Sequence, residues 1–297
     1  MTGAQPAVAG ELTVVVPTLG GAYLAGCLES IAAGTMWPAR VLVIDQSGND
    51  AALAQMHAVQ MSGVPAQHVR SAEQGISAAT NEGLRLVRTT YVAVTHDDCR
   101  VRRDWIERLA DRLPAAGDVI TTGRVEPEGD GIVLTVKVDH APAVYSKPLP
   151  DGDVLFPPNM AFPIRLIRRI GGFDEHPSLA TAGEDNEWAH RALRAGVPIV
   201  YEPAVVVGHL ARHQPSDLLA LYSRYARGQG AFYGTWIRRG DLFILRRAVR
   251  DLLRGPWLLL RGWLTRNHEL IAMGRGEVTG LLPGILAGIH NPGVDYD

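Results

Sequence analysis

Lysine and cysteine are nearly absent from this chain. Only Lys137 and Lys147 are lysines among 29 basic residues, and neither follows the glycine pattern of a phosphate-cradling P-loop, which excludes a P-loop NTPase. Cys27 and Cys99 stand far apart with no CxxC spacing, so they are read as free thiols in a reducing compartment. Gly20-Gly21-Ala22, after the first apolar run, lacks the GxGxxG spacing of a dinucleotide fold. No stretch reaches about 18 uninterrupted apolar residues. Met1–Gly10 has no basic region leading into a long apolar run, so neither a spanning helix nor a signal peptide is expected, and the chain is expected to stay in the cytoplasm. A net charge of −2 gives no overall pull toward nucleic acid, and no nucleic-acid partner is expected.

What is present suits one large α/β unit with an appendage: 297 residues, 46% hydrophobic and 20% charged, enough to bury a sizeable core. Charge is unevenly spread, however. Residues 211–275 hold twelve arginines against four acids, so this region is strongly basic and the remainder correspondingly acidic.

Three strand-and-helix units open the chain. Leu12–Pro17 is a short apolar run followed by Thr18-Leu-Gly-Gly21 and a helical pattern over 22–33. Val41–Ile44 ends in Asp45-Gln-Ser-Gly-Asn-Asp50 before a helix over 51–61, and 67–70 leads through Gly75 to a helix over 77–88. A fourth strand over 91–95 runs into His96-Asp97-Asp98-Cys99 and an amphipathic segment over 102–113. Repeats of this length imply a parallel sheet with right-handed crossovers.

The pair Asp97-Asp98 has two readings. Ligands in open α/β sheets collect outside the carboxyl ends of the strands, and adjacent carboxylates there suit a hard cation on a diphosphate. Alternatively, both acids are solvated caps of the following helix. Thr18, Asp45 and Asp97-Asp98, each following a different strand, gather at one edge, which favours a nucleotide site. Cys99 borders the same edge and is expected to be open to alkylation.

Several segments, in this order, carry a more specific signal: Val14-Val-Val-Pro-Thr18, Val43-Ile-Asp-Gln-Ser47, Gly75-Ile-Ser-Ala-Ala-Thr-Asn-Glu-Gly-Leu84, Thr95-His-Asp-Asp98, Gly171-Gly-Phe-Asp-Glu175 and Gly183-Glu-Asp-Asn-Glu-Trp188. Over roughly residues 12–209 the chain resembles the family 2 glycosyltransferases of the GT-A fold. The resemblance implies a Rossmann-like, mostly parallel sheet flanked by helices, with a C-terminal helical extension, and inverting transfer from a UDP-, dTDP- or GDP-sugar. It also implies donor contacts from Pro17, Thr18, Asp45, Ser47, Gly75, Asn81, Asp97 and Asn159. Asp45 would read the base, Asp97 would meet the ribose, and Asn159 and Met160 would lie near the donor sugar. Asp98 would hold Mg²⁺ or Mn²⁺, completed by His209, and Asp185 would be the catalytic base with Glu184 in reserve. Imidazole suits Mn²⁺ better than Mg²⁺.

Two positions depart from the family pattern. His96 stands where the acidic motif commonly begins with Asp, and Thr80 stands where Arg is common. The first leaves Asp98 intact; the second removes a donor near the nucleotide. Without the family context, Glu184 and Asp185 would be read as first-turn acids that stabilise a helix over 184–194. Packing accounts equally well for Met160.

Residues 1–210 are expected to form the catalytic domain, with 124–158 inserted over the site around one β-like run, 131–138. Residues 211–297 are expected to form a basic helical region with helices over 216–239, 241–254 and 257–267. Gly228-Gln-Gly230 within it is read as incidental. Its arginines interleave with Tyr222, Phe232, Trp236, Trp257 and Trp263, a composition that suits peripheral contact with an anionic membrane or packing on a partner. Gly280–Ile289, interrupted by Pro283, is expected to cover the core or a homo-oligomer interface. The acceptor implied is a carbohydrate or a lipid-linked precursor. Rival readings are a sugar nucleotidyltransferase and a non-catalytic sugar-nucleotide or lipid-binding module.

Overall fold

The computed structural model describes residues 6–61, 63–149, 153–179 and 182–291. Residues 1–5 of the N-terminal stretch, 150–152 of the expected insertion and 292–297 of the C-terminal region lie outside the described residues. The described chain divides into two compact units, one comprising Met1–Pro148, Val154–Gly172 and Arg191–Arg212, the other Leu149–Asp153, Phe173–His190 and His213–Asp297. Residues 149–153 and 173–190 cluster with the C-terminal helices.

In the first unit, β1 (Ala7–Thr18), β2 (Met36–Asp45), β3 (Ala66–Arg70) and β4 (Tyr91–Val94) alternate with α1 (Leu24–Ala32), α2 (Ala51–Met61) and α3 (Ile76–Leu86). The four strands run parallel in the order β3-β2-β1-β4, as repeated strand–helix units require. The strands are buried on both faces: Val14, Val16, Val41 and Val43 share a core with Leu24, Leu28 and Ile31 of α1, and the alternate Val15, Leu42 and Ile44 are buried on the other side.

The second half of the sheet is mixed. After β5 (Cys99–Val101) and α4 (Trp105–Ala116) come β6 (Ile120–Glu128), β7 (Ala143–Tyr145), β8 (Met160–Pro163), α5 (Ile167–Ile170), α6 (Glu184–Arg194) and β9 (Ile199–Leu210). β8 lies antiparallel between β4 and β6, β6 and β9 are parallel, and β5 and β7 are antiparallel to β9. The mostly parallel sheet expected from the strand–helix repeats thus describes its first half. The β-like run 131–138 is not a strand: among the described residues only Ile132 and Lys137 are in isolated bridges, Lys137 with Val125. Alternation needs a continuous partner edge, and this segment finds one only at two separate residues.

The second unit is helical, built on α7 (Leu218–Arg238), α8 (Leu242–Thr265) and α9 (His268–His290), with the first seven residues of α6. The helices expected to break before Pro256 form one helix, α8, in which Pro256 is interior and exposed. An interior proline costs ~3 kcal/mol or more. The cost is offset by packing on both sides of it, where Gly255 and Gly262 let α8 approach Val278 and Ile271 of α9. Pro283 likewise sits inside α9, so Gly280–Ile289 is part of a 23-residue helix. Among the described residues α9 alone is long and apolar enough, by length and composition, to cross a membrane, which the sequence reading did not expect.

α9 meets α7 along a ridge of four glycines, Gly276, Gly280, Gly284 and Gly288, spaced one turn apart. A Cβ on Gly280, Gly284 or Gly288 would strike the carbonyl of Ser223, Arg227 or Ala231. Gly228 and Gly230 of α7 are not incidental: they press on the carbonyls of Ala182 and Leu281.

Candidate active site

The parallel ladder places Thr18 opposite Asp45 at the carboxyl edge of β1 and β2. Thr18 donates from Oγ1 to Asp97 Oδ2 at 2.6 Å and accepts the Gly20 N–H at 2.9 Å. Thr18 therefore ties the end of β1 to the loop after β4.

Asp97 and Asp98 are not helix caps, because α4 starts at Trp105 with Asp104 before it. Between them and the helix lies β5, which pairs antiparallel with β9 so that Cys99 faces His209. The Asp98 carbonyl accepts the Leu210 N–H at 3.0 Å. This register brings His209 Nε2 within 3.5 Å of Asp98 Oδ2. His209 Nδ1 lies 3.3 Å from the Thr135 carbonyl, an acceptor, so a ring that gave up its Nε2 proton to bind an ion would keep the other on Nδ1 and present Nε2 as the ligand. Two electron-pair donors thus face one point, a set suited to a divalent cation and, through the imidazole, to Mn²⁺.

The ligand atoms of Asp98, Cys99 and His209 lie within 4.8 Å of one another. Cys99 is 1% exposed, and burial with the neighbouring Asp98 charge raises its thiol well above the ordinary range. It remains a thiol, with Sγ 3.7 Å from Asp98 Oδ1, and is neither a hard-cation ligand nor open to alkylation as expected.

Burial alone would raise the Asp98 carboxyl. The hydrogen bond and charge of His209, with His96 and Arg212 nearby, outweigh it and hold Asp98 well below the usual carboxylate range. Asp97 moves the other way, raised by burial and by the Asp98 charge against the Thr18 bond. His96 is lowered to about 4, first by burial and then by the His209 and Arg212 charges, so it is neutral. Arg212, which the motifs did not single out, places Nη2 3.0 Å from Asp98 Oδ2 and its guanidinium over the Tyr23 ring.

Asp45 is fully buried. Its Oδ1 accepts the Ser47 N–H and its Oδ2 faces His68 Nε2, both at 2.9 Å. Burial works to raise this carboxyl, and the Ser47 and His68 bonds together bring it below its ordinary value. The partly exposed ring against Asp45 is therefore His68, a β3 residue absent from the motifs. Gln46 secures the neighbouring loop, donating from Nε2 to the carbonyls of Glu73 and Gly75 at 2.8 and 3.0 Å. Gly75 precedes α3 at φ 103°, a backbone conformation that favours glycine. Pro17 is buried in β1, and buried Asn81 packs so closely on Gly172 that a Cβ there would meet its Oδ1 at 2.5 Å.

Asn159 is buried; its Oδ1 accepts the Trp105 indole N–H, and its Nδ2 donates to the carbonyls of Arg124 and Val205, each at 2.9 Å. An amide bonded in this way ties α4, β6 and β9 together. Met160, beside it, is core.

In the second unit, Glu184 and Asp185 open α6. Burial raises both carboxyls; the Asp185 charge adds to the rise of Glu184, and the Asp153 charge to that of Asp185. Asp185 Oδ1 accepts the Asn186 N–H at 2.8 Å, whereas Glu184 Oε2 is buried with no hydrogen-bond partner. Behind them Phe173 stacks on Trp188 at 4.8 Å and Asn186 bonds Gln229.

The carboxyl edge of the sheet thus carries Thr18, Asp45, Asp97 and Asp98 at the ends of separate strands, with no GxGxxG turn after β1. Residues 13–170 match the model for glycosyl transferase family 2, and the chain belongs to that family. The chain is 29% identical over 225 residues to the pre-mycofactocin glycosyltransferase of Mycobacterium tuberculosis, a match covering 72% of this chain and 44% of the relative, so it spans under half of that protein. Among solved structures it is similar to the mannosyltransferase PcManGT of Pyrobaculum calidifontis, in complex with GDP-Man and Mn²⁺, with TM-score 0.64 and 17% identity over 94% of this chain and 87% of that one. It is also similar to S. aureus TarS 1–349 in complex with UDP-GlcNAc, with TM-score 0.54 and 13% identity over 90% of each. At these identities the structural likeness establishes the shared GT-A fold.

Proposed function

We propose that this chain transfers a sugar from a UDP-, dTDP- or GDP-sugar to an acceptor hydroxyl, with inversion and with dependence on Mn²⁺ or Mg²⁺. One observation carries the reading: Asp98 Oδ2 and His209 Nε2 face one point at the sheet edge, beside Thr18-tied Asp97. These two side chains would hold the ion, which, when bound, neutralises charge developing on the departing nucleotide. Asp97 serves the ribose; Pro17, Thr18, Asp45 and Ser47 with Gly75 form the wall that meets the base, and Asn81 supports it from α3. Arg212 places a cation beside Asp98.

Asp185 acts as the base. An acid raised by burial still ionises near neutral pH, and its carboxylate then holds a proton more strongly than an exposed Asp would, which suits abstraction from a hydroxyl. Attack from the face opposite the departing nucleotide inverts the anomeric carbon. Glu184, with Oε2 unpartnered, is the reserve for that role. Residues 1–210 supply donor chemistry, and the basic region 211–297 favours an acceptor carried on a lipid-linked or polysaccharide precursor at the cytoplasmic face. Family membership puts sugar transfer ahead of nucleotidyl transfer and of a binding module without turnover.

The test is a thermal-shift panel of nucleoside diphosphates and nucleotide-sugars, with and without Mn²⁺, on wild type and Asp98→Ala. A Mn²⁺-dependent rise with one nucleotide, lost in the variant, is expected. No rise with any nucleotide would overturn the donor assignment.

A further inference from the structure

Among the described residues, exposed large hydrophobic side chains are concentrated on α8. Its buried side is defined by Ile244, Ala248, Asp251, Gly255, Leu258 and Gly262. On the opposite side Leu245, Val249, Leu253, Trp257, Leu260 and Trp263 recur every three or four residues and are all exposed, Leu253 at 68% and Trp263 at 76%. A helix of 24 residues is about 36 Å long, so this apolar row is far longer than the scattered exposed leucines of an ordinary surface.

Charge indicates what covers the row. By helical spacing Arg246, Arg254 and Arg261 lie on one flank of it, all exposed, with the Arg261 guanidinium 5.3 Å from the centre of the Trp257 ring. The one carboxylate within α8, Asp251, is buried on the far side, where it accepts from Tyr233 and pairs with Arg250. A second copy docked on this face would bring arginines against arginines with no α8 acid on either side. An anionic lipid surface supplies the missing countercharge, and indole rings are suited to the boundary between headgroup and acyl chain.

We propose that α8 lies flat on an anionic bilayer, with the Leu245–Trp263 row in the acyl boundary and Arg246 and Arg261 on lipid phosphates. The five arginines of α8 make it a helix that rests in the interface and does not cross it. The inference does not depend on sugar transfer, because vesicle binding is read without donor or acceptor.

Flotation of the full chain with vesicles of phosphatidylcholine alone and of phosphatidylcholine with phosphatidylglycerol tests it. Wild type is expected to float with the anionic vesicles and to be released by salt. The double variant W257E/W263E is expected to bind them about tenfold more weakly or worse. R246E/R261E should lose the preference for anionic over neutral vesicles. Unchanged melting temperature in both variants establishes that they are folded. Absence of wild-type binding to anionic vesicles, or equal binding by W257E/W263E, would overturn the proposal. A wild-type dimer in light scattering that W257E/W263E dissolves, without vesicle binding, would assign the face to a second copy instead.

Discussion

Arg212 Nη2 sits 3.0 Å from Asp98 Oδ2, the same oxygen that lies 3.5 Å from His209 Nε2. A guanidinium and a metal ion cannot both make full use of that oxygen. Arg212→Gln is therefore expected to raise Mn²⁺ affinity without nucleotide by roughly 3- to 10-fold, a fraction of the full pair energy because Arg212 is half exposed and screened. Calorimetric titration of Mn²⁺ into wild type and variant checks this; equal or weaker binding in the variant would show that Arg212 does not compete.

Asp185→Asn should lower turnover by about 10²- to 10⁴-fold, the range typical of general-base removal, while leaving the donor-induced thermal shift in place. The base works ionised, and burial with the Asp153 charge raises its carboxyl. The acid limb of the wild-type pH–rate profile should accordingly lie above the ordinary carboxylate range, with rate rising as pH rises through it. Equal loss of donor binding and turnover would sink the assignment.

Asn159→Ala removes an amide bonded to Trp105, Arg124 and Val205. We expect destabilisation of about 1–3 kcal/mol or more, because buried donors and acceptors are left unpaired. Urea unfolding measures it. Donor affinity of the folded variant should match wild type, whereas a selective loss of donor affinity would restore Asn159 to the sugar site.

What the sequence made legible follows from where its signals are local. Thr18, Asp45 and Asp97-Asp98 each end a β-branched run, and a parallel ladder puts such ends on one edge, so their convergence could be read in advance. The link from Asp98 to His209 could be anticipated only by resemblance, since it depends on β5, a three-residue strand too short for any pattern. Arg212 and His68 gave no signal for a related reason: one lies in a loop after β9, the other within a strand whose neighbour is set by topology. Asn159 carries the chemistry of a ligand contact, and only the positions of Trp105 and Val205 show that it is a tie. Pro256 and Pro283 read as stops because local geometry disfavours them, whereas glycine-mediated helix packing prevails over both.

Neither Cys27 nor Cys99 should react with a thiol reagent such as DTNB in the native state. Both are buried, and desolvation with nearby acidic charge raises both thiols. Labelling is expected only after denaturant is added, in proportion to the unfolded fraction. Rapid native labelling of one thiol would place Cys99 at an open edge after all.

Gly284→Leu inserts a side chain against the Arg227 carbonyl of α7. The expected cost is about 1–3 kcal/mol or more, as for other overpacked contacts. A melting temperature equal to wild type would mean that α7 and α9 separate easily.

The α9 glycine ridge also works as a ruler. Because Gly276, Gly280, Gly284 and Gly288 repeat every four residues, sliding α9 along α7 by one, two or three residues would drive side chains into backbone carbonyls. The next compatible alignment lies about 6 Å away, one repeat at 1.5 Å per residue. This helix pair is therefore indexed like a toothed rack, with discrete stops in place of a continuum of small slips. Any rearrangement within this helical unit must keep α7 and α9 meshed or disengage them completely.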